Sequence, residues 1–168
     1  ALYGTLQAAM LFWENLTTFL TGELGFTVNP YDSCVVNKMI NDKQCTIIWH
    51  VDDLKLSHVD QSVLEGVVKK LNAKYGQEDP LVVHRGKVHE YLGMTIDYSE
   101  DGKVKFIMTN YVQGLLDEAP DDMKGFAVTP AASNLFTMRE NAGKLDDAQS
   151  DKYHHLTAKL LYLCKRAR

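Results

Sequence analysis

Apolar positions recur every three to four residues over residues 7 to 21, where Ala9, Phe12, Trp13, Leu16, Phe19 and Leu20 share one helical face. Gly22 and Gly25 follow as stop signals. The period then shortens to that of strands. SCVVNKMI (33–40) and QCTIIWHV (44–51) are β-branched, apolar runs on either side of NDK, a short hairpin composition, and LKLS after Asp53 alternates with period two. Helical spacing returns after Asp60, a predicted N-cap, with Leu64, Val67, Val68, Leu71 and Tyr75 on one face up to Gly76. HEYLGMTIDY and KVKFIM read as a second strand pair joined through SEDGK, whose Asp101-Gly102 is a hairpin signal. Gly93, inside the first of these strands, predicts a bulge or a close backbone approach. Thr109 is predicted to cap NYVQGLLDEA, which stops at Pro120, and residues 120 to 149 hold no sustained period. A last helix is predicted from about Ser150, with Tyr153, Leu156, Leu160, Leu163 and Cys164 in phase. No internal repeat is present. The order of elements predicts an α+β fold with helices packed on an antiparallel sheet.

Composition alters this picture little. The chain has 168 residues, 45% of them hydrophobic and 24% charged, which suits one domain with a core, or parts of two. Three cysteines (Cys34, Cys45, Cys164) in no CxxC spacing point to a reducing compartment and away from a disulfide framework. No apolar run is long enough to span a membrane, and ALYGTLQAAM at the start has no signal-peptide organisation. The opening turn and the closing helical LLYLCKRAR read as a piece of a longer protein. A net charge of −4 argues against binding nucleic acid through overall positive charge. Local basic groups remain: Lys69, Lys70 and Lys74; Arg85 and Lys87 around Gly86; and Lys165, Arg166 and Arg168. Each also reads as a solvated face.

The chemistry concentrates in IIWHVDDLKLSH (47–58), where an apolar run delivers Asp52 and Asp53 to the bend between two strands. Two like charges about 4 Å apart at an effective dielectric near 20 repel by ~4 kcal/mol, so an apolar setting asks for a cation. Asp121-Asp122 and Asp146-Asp147 lie in polar surroundings where solvent holds the charge. Hard carboxylate oxygens at a bend suit Mg²⁺, which usually takes one or two carboxylates plus substrate phosphates. An acidic hairpin turn without a metal is the plainer alternative.

Several stretches in order, ALYGTLQAAMLFWENLTTFL, GFTVNPYDSCVV, IIWHVDDLKLSH, HEYLGMTIDYSEDGKVKFIMTNYVQGLL and VTPAASNL, make the chain resemble the reverse transcriptases of copia-type LTR retrotransposons over nearly its whole length. HVDD resembles that family's YVDD box, the metal-binding hairpin of the palm. The resemblance implies that Asp52 and Asp53 are catalytic and metal-binding, with Asp52 the direct contact, and that two Mg²⁺ ions are the cofactors, Mn²⁺ being the substitute. LYGTLQAA resembles the family's LYGLKQAP, which implies nucleotide and template binding by Tyr3, Gly4 and Gln7. EYLGM resembles the hairpin that grips the primer end, implying primer binding by Tyr91, Leu92 and Gly93, with His50, Arg85 and Lys87 beside it. His50 stands where the family usually has Tyr, Leu6 where it has Lys and Ala9 where it has Pro.

By the same resemblance, residues 1–98 are the C-terminal half of a palm and residues 99–168 a truncated thumb or connection segment. The implied partners are an RNA template, a DNA primer strand, deoxynucleoside triphosphates, and the missing N-terminal palm, fingers and RNase H regions of the same polyprotein, with no membrane. The family's first catalytic aspartate precedes the LYG motif, so the piece by itself is expected to be inactive. A cytoplasmic, virus-like-particle location is implied. One rival reading is a degenerate, non-catalytic nucleic-acid-binding or structural remnant of such an element. Another is an unrelated metal-dependent nuclease that draws on Asp32 and Asp97.

Overall fold

The computed structural model describes residues 4–120, 128, 129, 131, 133–137 and 143–167. Asp121-Asp122 and Tyr3 lie outside the described residues. The chain forms two compact units, residues 1–83 and 84–168. The strands at 88–97 pair with the strand at 105–107 and not with the first sheet.

In the first unit, helix α1 (Leu6–Thr18) runs into a wider turn at Phe19–Glu23, where the Leu24 N–H reaches back 3.2 Å to the Phe19 carbonyl. The helical path thus continues past the predicted stop at Gly22, and Gly25 (φ 68) makes the exit. Strands β1 (Thr27–Asn29), β2 (Asp32–Ile40), β3 (Lys43–His50) and β4 (Asp53–Ser57) form an antiparallel sheet in sequence order. β1 lacks a sequence signal because it is three residues long and abuts Pro30. Asn41 and Asp42 alone link β2 to β3 at φ 52 and 58, the left-handed pair a I′ turn requires and one these residue types tolerate. Helix α2 (Gln61–Tyr75) starts where the Asp60 carboxylate accepts the Ser62 N–H at 2.8 Å, and it stops at Gly76.

Strand alternation sends Val36, Cys45, Ile47 and Trp49 to the helix side of the sheet, against Leu16, Phe19 and Leu20 and against Val67 and Leu71 of α2. Full burial of each such side chain contributes about 1.5–3 kcal/mol. Polar ties fix the layers: Trp13 Nε1 donates to the Ser33 carbonyl at 3.2 Å, and the Tyr75 hydroxyl donates to Asn15 Oδ1 at 2.8 Å. Lys38 reaches along the core face to donate to the Leu24 carbonyl at 2.6 Å, so its charge ends at the C-terminal end of a helical turn.

In the second unit, β5 (Val88–Tyr91), β6 (Met94–Asp97) and β7 (Lys105–Ile107) form an antiparallel meander, followed by α3 (Thr109–Glu118) and α4 (Asp147–Arg166). Three sequence expectations change here. HEYLGMTIDY is not one strand: Tyr91 pairs with Met94 across a Leu92-Gly93 turn at φ 50 and 69, so Gly93 is the second residue of a tight turn and not a bulge. Thr109 is the first helical residue, and the N-cap position falls to Met108, which makes no side-chain cap bond. Helix α4 begins before Ser150, because Asp146 accepts the Gln149 N–H at 2.8 Å while Gln149 Oε1 accepts the Asp146 N–H at 3.2 Å. The exposed Asp146-Asp147 pair thus also starts the helix, Asp146 in a capping box and Asp147 in the first turn. α3 and α4 are joined by Glu118, whose two oxygens each accept from Lys159 Nζ at 2.6 Å and one of which lies 3.1 Å from His155 Nε2. The architecture is α+β, with two antiparallel sheets and four α-helices among the described residues.

Candidate active site

The β3–β4 ladder sets Trp49 opposite Leu54 and His50 opposite Asp53. Trp49 is 4% exposed and packs into the core with Leu54. Period two then places His50 and Asp53 together on the other face of the sheet. Only Val51 and Asp52 remain to close the hairpin. Val51 has φ 55, a conformation that crowds a β-branched side chain and costs about 1–2 kcal/mol. Asp52 does not share the positive φ, as in a II′ turn and unlike the Asn41-Asp42 hairpin at the sheet's other end.

His50, Val51, Asp52 and Asp53 are all exposed. The apolar run before them is buried, but the carboxylates emerge from it into solvent, so burial does not set their demand for a cation. Hydrated neighbouring carboxylates at a hairpin tip fit a divalent ion that keeps some of its water and takes further oxygens from a phosphate-bearing substrate. Among the described residues no group of three or more His, Cys, Asp or Glu side chains is gathered to hold a metal. The two carboxylates reserved for a nuclease are engaged in local turns: Asp32 Oδ1 accepts the Cys34 N–H at 2.8 Å, and Asp97 Oδ1 accepts the Ser99 N–H at 2.7 Å. Hydrogen bonding from the Ser99 side chain, and then from its backbone N–H, holds the Asp97 carboxyl below its ordinary pKa.

Gly4 (φ 82) enters α1 just before Thr5, whose hydroxyl accepts the Ala8 N–H at 3.2 Å, and Gln7 is exposed in the first turn. Among the described residues no side-chain hydrogen bond or ion pair joins Gln7 to Asp52 or Asp53. Arg85 and Lys87 are exposed on the segment leading into β5, with Gly86 between them at φ 125. The Lys87 carbonyl is anchored by the Tyr98 N–H at 2.7 Å, while its side chain stays in solvent. Tyr91 is half-buried at the end of β5, beside the Leu92-Gly93 turn.

Two residues at that turn escaped the sequence reading. The Tyr162 hydroxyl of α4 donates to the Leu92 carbonyl, and its ring lies 5.3 Å from that of Tyr111. The inward face of α4 accordingly runs through Leu156, Lys159, Tyr162 and Leu163, while Tyr153, Leu160 and Cys164 of the expected face are exposed. Helical periodicity narrows such a face to within one residue, and a tyrosine with one polar end fits either side of it. His155, read as an ordinary helix residue, lies within reach of Glu118. All three cysteines are free, and burial pushes the Cys45 thiol pKa up. No described helix is long and apolar enough to cross a membrane.

Comparison with known proteins supplies the remaining findings. The family model described as reverse transcriptase (RNA-dependent DNA polymerase) matches residues 1–132. A transposon Ty5-1 protein of Saccharomyces cerevisiae is 22% identical over 167 residues, covering 99% of this chain and 52% of that protein. The chain thus spans about half the length of the curated relative it matches. No solved structure matches it.

Proposed function

The chain belongs to the reverse transcriptase (RNA-dependent DNA polymerase) family, and from that premise we propose that the Val51-Asp52 hairpin is the acidic corner of a nucleotidyl-transfer site. The parent enzyme, a copia-type retrotransposon polyprotein, extends a DNA primer along an RNA template from deoxynucleoside triphosphates. The observation that carries this reading is the register: two adjacent, exposed carboxylates at the tip of a two-residue hairpin whose first position is a strained valine. Non-glycine residues in such conformations cluster at active sites and ligand clamps.

Asp52 and Asp53 present hard carboxylate oxygens from one turn, and the ladder to β3 fixes the backbone of Asp53. Asp52 and Asp53 would hold part of a divalent-ion site, and Mg²⁺ there would supply Lewis-acid stabilisation for attack of a primer 3′ hydroxyl on the nucleotide α-phosphate, with pyrophosphate as the leaving group. A further carboxylate outside the described residues completes the metal-binding set in the parent. His50, on the same sheet face as Asp53, offers a ring to a primer nucleotide. Gly4 and Gln7 bind the nucleotide and template, the role the family resemblance also gives Tyr3. The Leu92-Gly93 turn with Tyr91 grips the primer end by backbone approach, and Arg85 and Lys87 meet its phosphates. The first unit is the palm piece in this reading, and α3 and α4 belong to the thumb or connection. The same reading puts the parent in a cytoplasmic virus-like particle.

A non-catalytic remnant finds support in one observation, the absence of a third gathered carboxylate among the described residues. The test is RNA-templated nucleotide incorporation by the purified parent protein with Asp52→Asn. Loss of incorporation with the melting transition unchanged supports the catalytic reading. Undiminished incorporation refutes it, and a wild-type parent that folds, binds primer–template and never incorporates favours the remnant.

A further inference from the structure

The Leu92-Gly93 turn has a built support that its own sequence does not supply. A I′ turn requires positive φ at both central residues; Gly93 (φ 69) adopts it freely, but Leu92 (φ 50) adopts it against its own Cβ. The strained residue is the one that is held. Its carbonyl accepts the Tyr162 hydroxyl across 70 positions of sequence. Tyr162 is itself held by two ring contacts: the Tyr111 ring packs at 5.3 Å, and the Arg166 guanidinium carbon sits 3.7 Å from its ring centroid. Tyr111 in turn donates to the Lys159 carbonyl of α4 at 3.2 Å and covers Gly93, where an added Cβ would meet its ring at 3.5 Å.

From this arrangement we propose that Tyr162, braced by Tyr111, is the positioning residue of the Leu92-Gly93 turn, holding its backbone in the left-handed pair that meets the primer end. The inference rests on the primer-binding role given to this turn above. Tyr162 touches no substrate. It acts through the Leu92 carbonyl, so its removal weakens engagement of the nucleic acid without altering nucleotide selection.

The experiment uses the full parent enzyme with Tyr162→Phe, which keeps the ring contacts with Tyr111 and Arg166 and deletes only the donor. Loss of one such hydrogen bond is expected to raise the primer–template KM roughly three- to ten-fold, with the nucleotide KM unchanged and the melting temperature lowered by no more than about 4 °C. Faster hydrogen exchange at the Met94 amide, which closes the turn opposite Tyr91, accompanies it. His155→Gln, which loosens α3 from α4 without touching the turn, leaves the primer–template KM as in wild type. An unmoved primer–template KM in Tyr162→Phe overturns the proposal, as does an equal shift in both variants. Asp52→Asn run in parallel separates the two layers. If it is inactive while Tyr162→Phe behaves as wild type, only the positioning role falls; if it is fully active, the polymerase reading and this inference fall together.

Discussion

His50 and Asp53 are cross-strand partners on the last rung of the β3–β4 ladder, and only Val51 and Asp52 separate them along the chain. The partnership explains why Val51 is strained. A two-residue loop has no slack, so the register that buries Trp49 also forces a β-branched residue to φ 55. Replacing Val51 by Asn, which tolerates the left-handed region, is expected to stabilise the protein by about 1 kcal/mol, read as a higher urea midpoint with an unchanged slope. A lower midpoint would show that Val51 packing outweighs its backbone cost.

Ile47 is wholly buried two residues before Trp49 on the same strand, so it anchors the strand that presents the hairpin. Ile47→Ala is expected to cost about 2–5 kcal/mol, measured by denaturant unfolding, because the surrounding side chains collapse only partly into the space. A cost below about 1 kcal/mol would mean that the core closes over the gap.

Lys159 and then His155 hold the Glu118 carboxyl below its ordinary value of 4.5. A depressed folded-state pKa contributes stability above the unfolded value, and that stability is lost as pH falls through the folded value. The α3–α4 contact is therefore expected to persist at neutral pH and to loosen as pH drops below 4.5, with faster hydrogen exchange in α3. Glu118→Gln should flatten that acid limb. An identical limb in wild type and variant would assign the acid sensitivity to other groups.

Arg85 and Lys87 project into solvent from the segment before β5. If both meet primer phosphates, the double change to Ala reduces the slope of log affinity against log salt by about 1.4–1.8 for the parent enzyme on a primer–template. Weaker binding with an unchanged slope would place these cations away from the phosphates.

Much of the first unit was legible because its signals are local. The alternation through Cys45, Ile47 and Trp49, the Asp60 cap and the Asn41-Asp42 turn are each written within a few residues, and each forms as expected. The position of Asp52 and Asp53 at a hairpin bend followed from the same alternation. Their exposure fits the same reading, because a bend is where a sheet brings carboxylates out beside its buried face. In the second unit the Leu92-Gly93 turn was hidden because Leu92 carries no turn signal, and glycine alone suits a bulge equally well. The Asp146 capping box was present in the sequence as Asp-x-x-Gln but sat outside the apolar period used to start α4. Tyr162 and Leu92 meet only through tertiary structure, which no local pattern records.

The central claim is that Asp52 and Asp53 hold a divalent ion against a nucleic-acid end. Its most direct test is Mn²⁺ relaxation of the backbone amide signals of the parent enzyme bound to primer–template and nucleotide. The expected result is selective broadening at His50 to Leu54 that Asp52→Asn abolishes while the fold persists. Broadening that is absent from these residues in wild type, or that is identical in wild type and Asp52→Asn, would contradict the account.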